Sequence, residues 1–421
     1  YTVCGVYDAA DLQKKIDEQA LQMEPVVRPL CTLSEIDGKV VVSAEIAEME
    51  MSLRPCYYKG KGMNQGSYIR IGDADRKMTE YEVYSYEAFK KRIQDELRSA
   101  DRAVLEDIET PYLDEYLFRL KQIKPNLAAE TKEKQLRLQG FINNNIPTLA
   151  GVLMFADYPQ GYYPRLCITA VVIPGTEIGN ISESGERFIA NETIEGTLPQ
   201  MVDRTLAFIR RNMKVAVIID PNTGIRTDKP EYPITALREI ILNAVIHRDY
   251  SIHTETSPIT VKMFSDRIEI ENPGGLYGRL TLDTLGHINA DTRNPYIANA
   301  MEILIKTENR FSGIPTIHRE MKLANLTPPV FENIRGSFKV TLYNKNKIND
   351  YNEEKNLSEA IVRYCNVPRT RADLSEKFSH ISKAYLFTEY VNPLIAEKKL
   401  CLTIPDKPKS KNQRFYSNNN N

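Results

Sequence analysis

Apolar residues at Leu12, Ile16 and Ala20 repeat with a helical period, so Asp8–Met23 is predicted to be a helix. Two β-branched stretches follow, 26–30 and Lys39–Ala44, around the turn Ile36-Asp37-Gly38, which predicts a hairpin. A second hairpin is expected from Pro55–Lys59 and Ser67–Gly72 around a loop with glycines at 60, 62 and 66. Helical spacing then dominates. Lys90–Ala103, Tyr112–Ile123 and Thr131–Gln139 read as helices, and the apolar run Pro147–Phe155 reads as core. From about residue 159 strands and helices alternate. Leu166–Ile173 and Val215–Ile219 are buried-strand candidates, Glu195–Asn212 and Pro233–His247 helices, and Val261–Phe264 with Arg267–Glu271 a hairpin. The mixture predicts an α/β sandwich, a sheet covered on one face by helices. The polar stretch 344–356 reads as a linker. Beyond it come three helices (Leu357–Cys365, Arg371–Phe378, and Lys383–Ala396 interrupted near Pro393) and two strands (Leu400–Ile404, Arg414–Tyr416), a winged helix-turn-helix pattern.

Composition narrows the classes. At roughly 150 residues per domain, 421 residues suggest about three domains. A hydrophobic fraction of 42% and a charged fraction of 26% supply enough apolar mass for real cores and exclude wholesale disorder. With 55 basic against 56 acidic residues the formal charge is −1, which excludes a general basic coat. The charge is unevenly spread. From Lys345 onward there are 14 basic and 9 acidic residues, net +5, and the preceding part carries net −6. Basicity thus gathers in the terminal unit, as phosphate neutralisation requires.

No apolar run approaches the roughly 18 residues of a membrane-spanning helix. The six cysteines form no Cys-x-x-Cys pair and read as buried free thiols of a reducing compartment, so a cytoplasmic location is expected. No signal-peptide pattern opens the chain. Strand-like Thr2–Val6 directly after Tyr1 suggests a start trimmed of preceding residues.

The most informative stretch is Tyr232–Tyr250. Glu239 and Asn243 are four apart and share a helix face, while Leu237, Ile241, Ala244 and Val245 face the core. A carboxylate beside an amide oxygen suits magnesium and a water, and equally suits two ordinary polar residues on a helix surface. His247-Arg248-Asp249 mimics a kinase catalytic loop, but Thr254 stands where Asn is needed and no Asp-Phe-Gly occurs. His247, Asp249, His253 and Glu255 are explained as the polar end of a helix without invoking a metal. A strand ending in Asn272-Pro273-Gly274-Gly275 offers backbone N–H groups to an anion. The loop Glu308–Pro315 opens another helix, whose N-terminus favours negative charge.

Taken in order, the Arg238-Glu239…Asn243-Ala244…His247-Arg248-Asp249-Tyr250 block, Asp266–Gly275, Arg293-Asn294-Pro295 and the Ser312-Gly313-Ile314 loop resemble a family of bacterial transcriptional regulators often labelled helicase-related. In these, a Schlafen-type, Alba-like DNA-binding domain precedes a degenerate histidine-kinase/gyrase-type (GHKL) ATPase domain. Gly66–Asp73 and Pro147–Gln160 extend the resemblance over most of residues 1–345.

The resemblance implies an α+β, multidomain chain: an N-terminally trimmed Alba-like α/β domain (1–90), a helical winged-helix-like segment (91–158), a GHKL-like α/β sandwich (159–345), and a winged helix-turn-helix with a polar tail (346–421). It implies that Asn243 holds magnesium and that Glu239 is the base in an active ATPase. It implies nucleotide contacts from Asn243, Asn272, Gly274, Gly275 and Gly313, with ATP and Mg²⁺ as the cofactors. Two positions depart from the family pattern. Asn272 stands near the adenine-binding Asp, and Phe311 replaces the first glycine of Gly-Thr-Gly-Ile. Hydrolysis is therefore not expected, and the absence of a Gly-x-x-x-x-Gly-Lys-Ser/Thr loop argues against a helicase motor.

The function expected is DNA-binding transcriptional regulation, with the GHKL-like domain as sensor or dimerisation scaffold. The alternative is a Mg-dependent GHKL-type ATPase coupled to DNA binding. Double-stranded DNA, a nucleotide or small-molecule effector and a second copy of the chain are the expected partners. Candidate DNA contacts are Ser382, Lys383, Tyr385 and Thr388 on the third helix and Lys407, Lys409, Lys411 and Arg414 in the wing. Lys59 and Lys61 at the second hairpin are candidate phosphate contacts.

Overall fold

The structure is a computed structural model and describes residues 3–71, 74–219, 224, 226–288, 291–305, 313–344, 357–378, 386–406, 410 and 413–417; of 71, 218, 227, 388 and 389 it describes the backbone only. The chain divides into two compact units, Tyr1–Asn344 and Lys345–Asn421.

In the first unit, α1 (Ala9–Ala20) starts where the Asp8 carboxylate accepts the Asp11 N–H at 2.9 Å. Strands β1 (Leu30–Ile36) and β2 (Lys39–Glu45) form the Asp-Gly hairpin, with Asp37 and Gly38 both at positive φ. The strand begins at Leu30, four residues later than the β-branched stretch suggests. The second hairpin closes as expected only at one antiparallel bridge, Tyr57 with Ser67, and the longer pairings of its two arms lie elsewhere. Tyr57–Tyr58 pairs with Met23–Glu24, whereas β3 (Tyr68–Ile71) pairs with β4 (Ala74–Lys77). The glycine-bearing loop between them folds into a 3₁₀ turn and a short helix.

Helix α2 (Glu80–Lys91) has a Thr79/Glu82 capping box. It stops at Arg92, whose left-handed φ of 53° lets its N–H reach the Ala88 and Phe89 carbonyls. The helix expected over Lys90–Ala103 is therefore absent, and that segment makes a 3₁₀ turn at Asp95–Leu97. Helices α3 (Pro111–Ile123), α4 (Lys132–Leu138) and α5 (Leu149–Phe155) follow, and every residue of α5 is buried.

The main sheet has six strands. These are β5 (Ile168–Val172), β6 (Ala190–Ile194), β9 (Ile259–Met263), β10 (Arg267–Pro273), β11 (Val330–Ile334) and β12 (Ser337–Tyr343), in the order β6-β5-β9-β10-β12-β11. Only the β5–β9 pair is parallel. Helices α6 (Leu198–Asn212), α7 (Ile234–His247), α8 (Pro295–Ile305) and α9 (Gly313–Leu323) supply the apolar residues that join the sheet in one core. That core runs without a break from Ala100 in the helical segment to Leu342. The run 215–219 is a strand but not a buried one. As β7 (Val215–Ile219) it pairs only with β8 (Arg226–Pro230), and Val215, Val217 and Ile219 are exposed. A short apolar run cannot by itself say whether a second layer will cover it.

Two buried polar contacts lock the segment preceding the sheet onto the helices. The Glu96 carboxylate accepts the Tyr296 and Ile297 N–H groups at 3.0 and 2.8 Å, capping α8 from a distant part of the chain. The Tyr81 hydroxyl on α2 donates to Asp249 Oδ2 at 2.8 Å, and Arg293 forms a buried ion pair with the same carboxylate. Nearby, Arg335 in the β11–β12 turn pairs with Glu82 at 2.5 Å.

In the second unit, residues 357–364 form a helix, followed by β13 (Arg369–Thr370), α10 (Arg371–Lys377), a π-helical turn at Leu386–Val391 and α11 (Asn392–Ala396). Strands β14 (Leu400–Leu402) and β15 (Arg414–Ser417) complete a three-stranded sheet in the order β13-β15-β14. Its separate core includes Ile361, Leu374, Leu386, Val391, Leu400 and Phe415. The linker expected at 344–356 lies outside the described residues beyond Asn344.

Two stability predictions follow from the buried contacts. Burial raises the Glu96 carboxyl from the ordinary 4.5 to about 7. A carboxyl raised in the folded state contributes most below its unfolded value and loses that contribution as pH passes the folded value. Wild type should therefore lose on the order of 3 kcal/mol between about pH 4.5 and pH 7 that E96Q does not lose. Parallel unfolding profiles of the two proteins would refute this. R293M, which strands the Asp249 carboxylate in the interior, should cost about 3–5 kcal/mol in denaturant unfolding.

Candidate functional site

Helix α7 buries Leu237, Ile241, Ala244 and Val245, as its spacing predicts, and leaves Glu239 and Asn243 half-buried on its other side. Its C-terminal end is held by Asn294, whose amide donates to the Ile246 and Arg248 carbonyls at 2.8 and 2.7 Å. Arg248 is fully buried and donates to the carbonyls of Asp249, Thr254 and Ser257, so it organises the loop after the helix. The four residues considered as metal ligands are spread over different contacts. Asp249 meets Arg293 and Tyr81, His253 packs against Tyr84 with ring centroids 4.6 Å apart, and Glu255 pairs with Arg98 at 2.6 Å. His247 faces a cavity instead.

That cavity has a volume of about 510 Å³ and is lined by Glu239, Asn243, Asn272, Gly274, Gly275 and Gly313 together. The six residues come from α7, the end of β10 and the start of α9. Strand β10 alternates, with Ile268, Ile270 and Asn272 buried on one face. Past Pro273 the chain turns at Gly274, with φ of +100°. A Cβ there would stand 2.6 Å from Asp249 Cβ and 3.1 Å from Arg293 Nη1, so only glycine fits against the ion pair. A Cβ at Gly313 would stand 3.1 Å from Asn243 Nδ2 and 3.2 Å from Glu239 Oε2. The first turn of α9 therefore abuts the polar pair of α7.

The electrostatics are uneven. Burial pushes the Glu239 carboxyl up, against the opposing charge of Arg238. Burial, assisted by Arg293, pushes the His247 imidazole down to about 4, leaving it neutral at ordinary pH. Burial also acts to raise Asp249, but the Arg293 charge and the bonds from Ser251 and Tyr81 hold that carboxyl below its ordinary value. Among the described residues, the side chains of Glu239, Asn243 and Asn272 have no hydrogen-bond partner, so their polar atoms are available to a ligand. Two hard oxygen donors on one helix face fit a magnesium ion, which Asn243 would hold with Glu239 beside it.

Several liners carry no local sequence signal. Tyr277 lies under the Arg293 guanidinium at 4.8 Å and meets Phe89 of α2 edge-on at 5.5 Å. Asp291 is tied to Arg279 by two side-chain bonds of 2.9 and 3.0 Å, which close the loop on one side of the cavity. Glu302, Phe331 and Phe338 also line it. Period-two alternation along β12 could have flagged Phe338 and Val340, whereas the loop residues are brought in by tertiary contacts alone.

The expected DNA contacts are only partly described. Ser382, Lys383, Tyr385, Lys407, Lys409 and Lys411 lie outside the described residues, as does Phe311, and only the backbone of Thr388 is described. Arg414 is exposed on β15. Lys61 is exposed, and Lys59 is ion-paired with Glu24 at 3.4 Å. Among the described residues no helix is long and apolar enough to cross a membrane.

Residues 256–342 match the family model described as "Putative ATP-dependent DNA helicase recG C-terminal". The matched span carries Asn272, the two glycines and Gly313 but begins after α7, which carries Glu239 and Asn243. A search of curated proteins finds no match. Among solved structures the chain is similar to the DIP2311 protein from Corynebacterium diphtheriae, with 19% identity over 93% of this chain and 76% of that one and a TM-score of 0.45. The matched region is thus an ATPase-like, helicase-related domain within a mixed α+β multidomain chain.

Proposed function

We propose that the chain is a DNA-binding regulator whose GHKL-like domain senses a purine nucleotide. The observation carrying this reading is convergence. Residues from three separate segments, marked by motif alone, line one cavity of about 510 Å³, a size suited to a nucleotide-scale ligand. The match of residues 256–342 to an ATPase-like family supports the same assignment.

Within this reading Asn243 holds Mg²⁺, and the ion supplies positive charge to the phosphate oxygens. Gly313 leaves room at the start of α9, and Gly274 and Gly275 form the turn at the end of β10. DNA binding is assigned to the second unit, read as a winged helix-turn-helix. Its support is the net charge of +5 from Lys345 onward together with its order of helices and three-stranded sheet. The Schlafen-type, Alba-like identity of residues 1–90, dimerisation and a cytoplasmic location belong to the same proposal.

A second reading, Mg-dependent ATP hydrolysis, is favoured by one observation. The Glu239 carboxyl is half-buried, raised and beside Asn243, as a base for an attacking water should be. The Asn272 and Phe311 departures weigh against it.

Calorimetry should show magnesium-dependent binding of ATP or ADP to wild type and at least tenfold weaker binding to N243A. Flat traces for both would overturn the sensor reading, and phosphate release lost in E239Q would favour the enzyme. Anisotropy titration against genomic DNA fragments at low salt should show binding that falls steeply with added salt and is lost when residues 357–417 are deleted. Binding unaffected by that deletion would remove the assignment to the second unit.

A further inference from the structure

This inference rests on the nucleotide reading and concerns which base the cavity accepts. Asn272 is 5% exposed and continues the buried face of Ile268 and Ile270 by the two-residue period of β10. Its antiparallel partner is Phe338, and the partner of Ile270 is Val340, so these side chains share one face. Ile270, Asn272, Phe338 and Val340 all line the cavity. The end of the sheet thus presents one carboxamide among apolar walls, and no described residue hydrogen-bonds to that amide.

The polar atoms of this amide open onto the cavity rather than being sealed from solvent, so water meets them there, and a ligand that replaces both of those bonds is accepted without leaving either atom unpaired. A carboxamide carries an acceptor and a donor side by side, and turning it by half a revolution exchanges them. One orientation matches a ring edge with an amino group next to a ring nitrogen. The other matches a keto oxygen next to a ring N–H. No hydrogen bond from the described residues fixes the amide in either orientation. A carboxylate at this place could only accept, and would oppose a keto oxygen.

We infer that Asn272 makes this a base-permissive purine site, reading 6-amino and 6-oxo purine nucleotides alike. The first of the two orientations is the one by which asparagine reads the amino group and ring nitrogen of adenine in nucleic acids.

The test is calorimetry on the full chain with ADP and with IDP, each with magnesium. Wild type should bind the two within about tenfold of each other, far from the 10⁴-fold or greater rejection of a site built for one edge. N272D, measured near about pH 8 so that a buried carboxyl is ionised, should keep ADP and weaken IDP by more than about tenfold. N272L should weaken both by about tenfold or more while unfolding cooperatively like wild type, and it keeps the test decisive if N272D does not fold. Wild type preferring ADP by more than about tenfold, or N272L binding both unchanged, would overturn the inference while leaving nucleotide binding intact. Neither nucleotide binding to folded wild type would instead overturn the reading beneath it, and this inference with it.

Discussion

The ion pair between Asp249 and Arg293 is the constraint on which the architecture turns. Two charges removed from water are tolerated only when each is richly bonded. Asp249 meets the Arg293 guanidinium, the Tyr81 hydroxyl and the Ser251 N–H. Arg293 donates to the Gly275 carbonyl and lies over Tyr277. The pair therefore fixes three things at once: the end of α7, the turn after β10, and the seat of α2. Two of these form the wall of the cavity, and the third joins it to the N-terminal segment. Gly274 fits because nothing larger could lie against both partners.

The charge on the cavity wall also shapes what can enter. The carboxylate of Asp291 is already engaged by Arg279, and His247 is kept neutral by burial. Glu239 is left as a half-buried carboxylate close to the first turn of α9. An anionic group brought there meets a like charge and is repelled unless a cation accompanies it. This is why the magnesium-compatible pair on α7 matters more to the nucleotide reading than the glycine turn, which by spacing alone could be an ordinary bend.

Much of this was legible in the sequence where local rules decide. The spacing in α7 placed Glu239 and Asn243 on one side and the apolar residues on the other. The Asp37-Gly38 turn set the first hairpin, and the Arg267–Glu271 run placed the strand that carries Asn272. The failures occurred where distant contacts decide. Val215–Ile219 has the composition of a core strand, yet it lies in an exposed two-stranded ribbon. Pro55–Lys59 and Ser67–Gly72 look like full hairpin partners, but they meet only at the Tyr57–Ser67 bridge, and Met23–Glu24 and Ala74–Lys77 take the longer pairings. Helix α2 ends at Arg92 in a left-handed conformation usually announced by glycine, so its end left no trace in residue type. The cavity liners Tyr277 and Asp291 were invisible for the same reason. Each is positioned by an arginine from another part of the chain.

Glu96 has a consequence for how the molecule can be dissected. It comes from a 3₁₀ turn some two hundred residues before the helix it caps, and the apolar core is continuous between the two. The cooperative unit is therefore wider than the stretch of recognisable similarity at 256–342. A fragment cut to that stretch would keep four adjacent strands but lose α7, the neighbouring strand β5 and the cap on α8. Its sheet face and one backbone edge would be laid bare, the combination that drives chains to clump rather than fold. Boundaries for a soluble fragment of this protein are better drawn from the cap and the core than from resemblance.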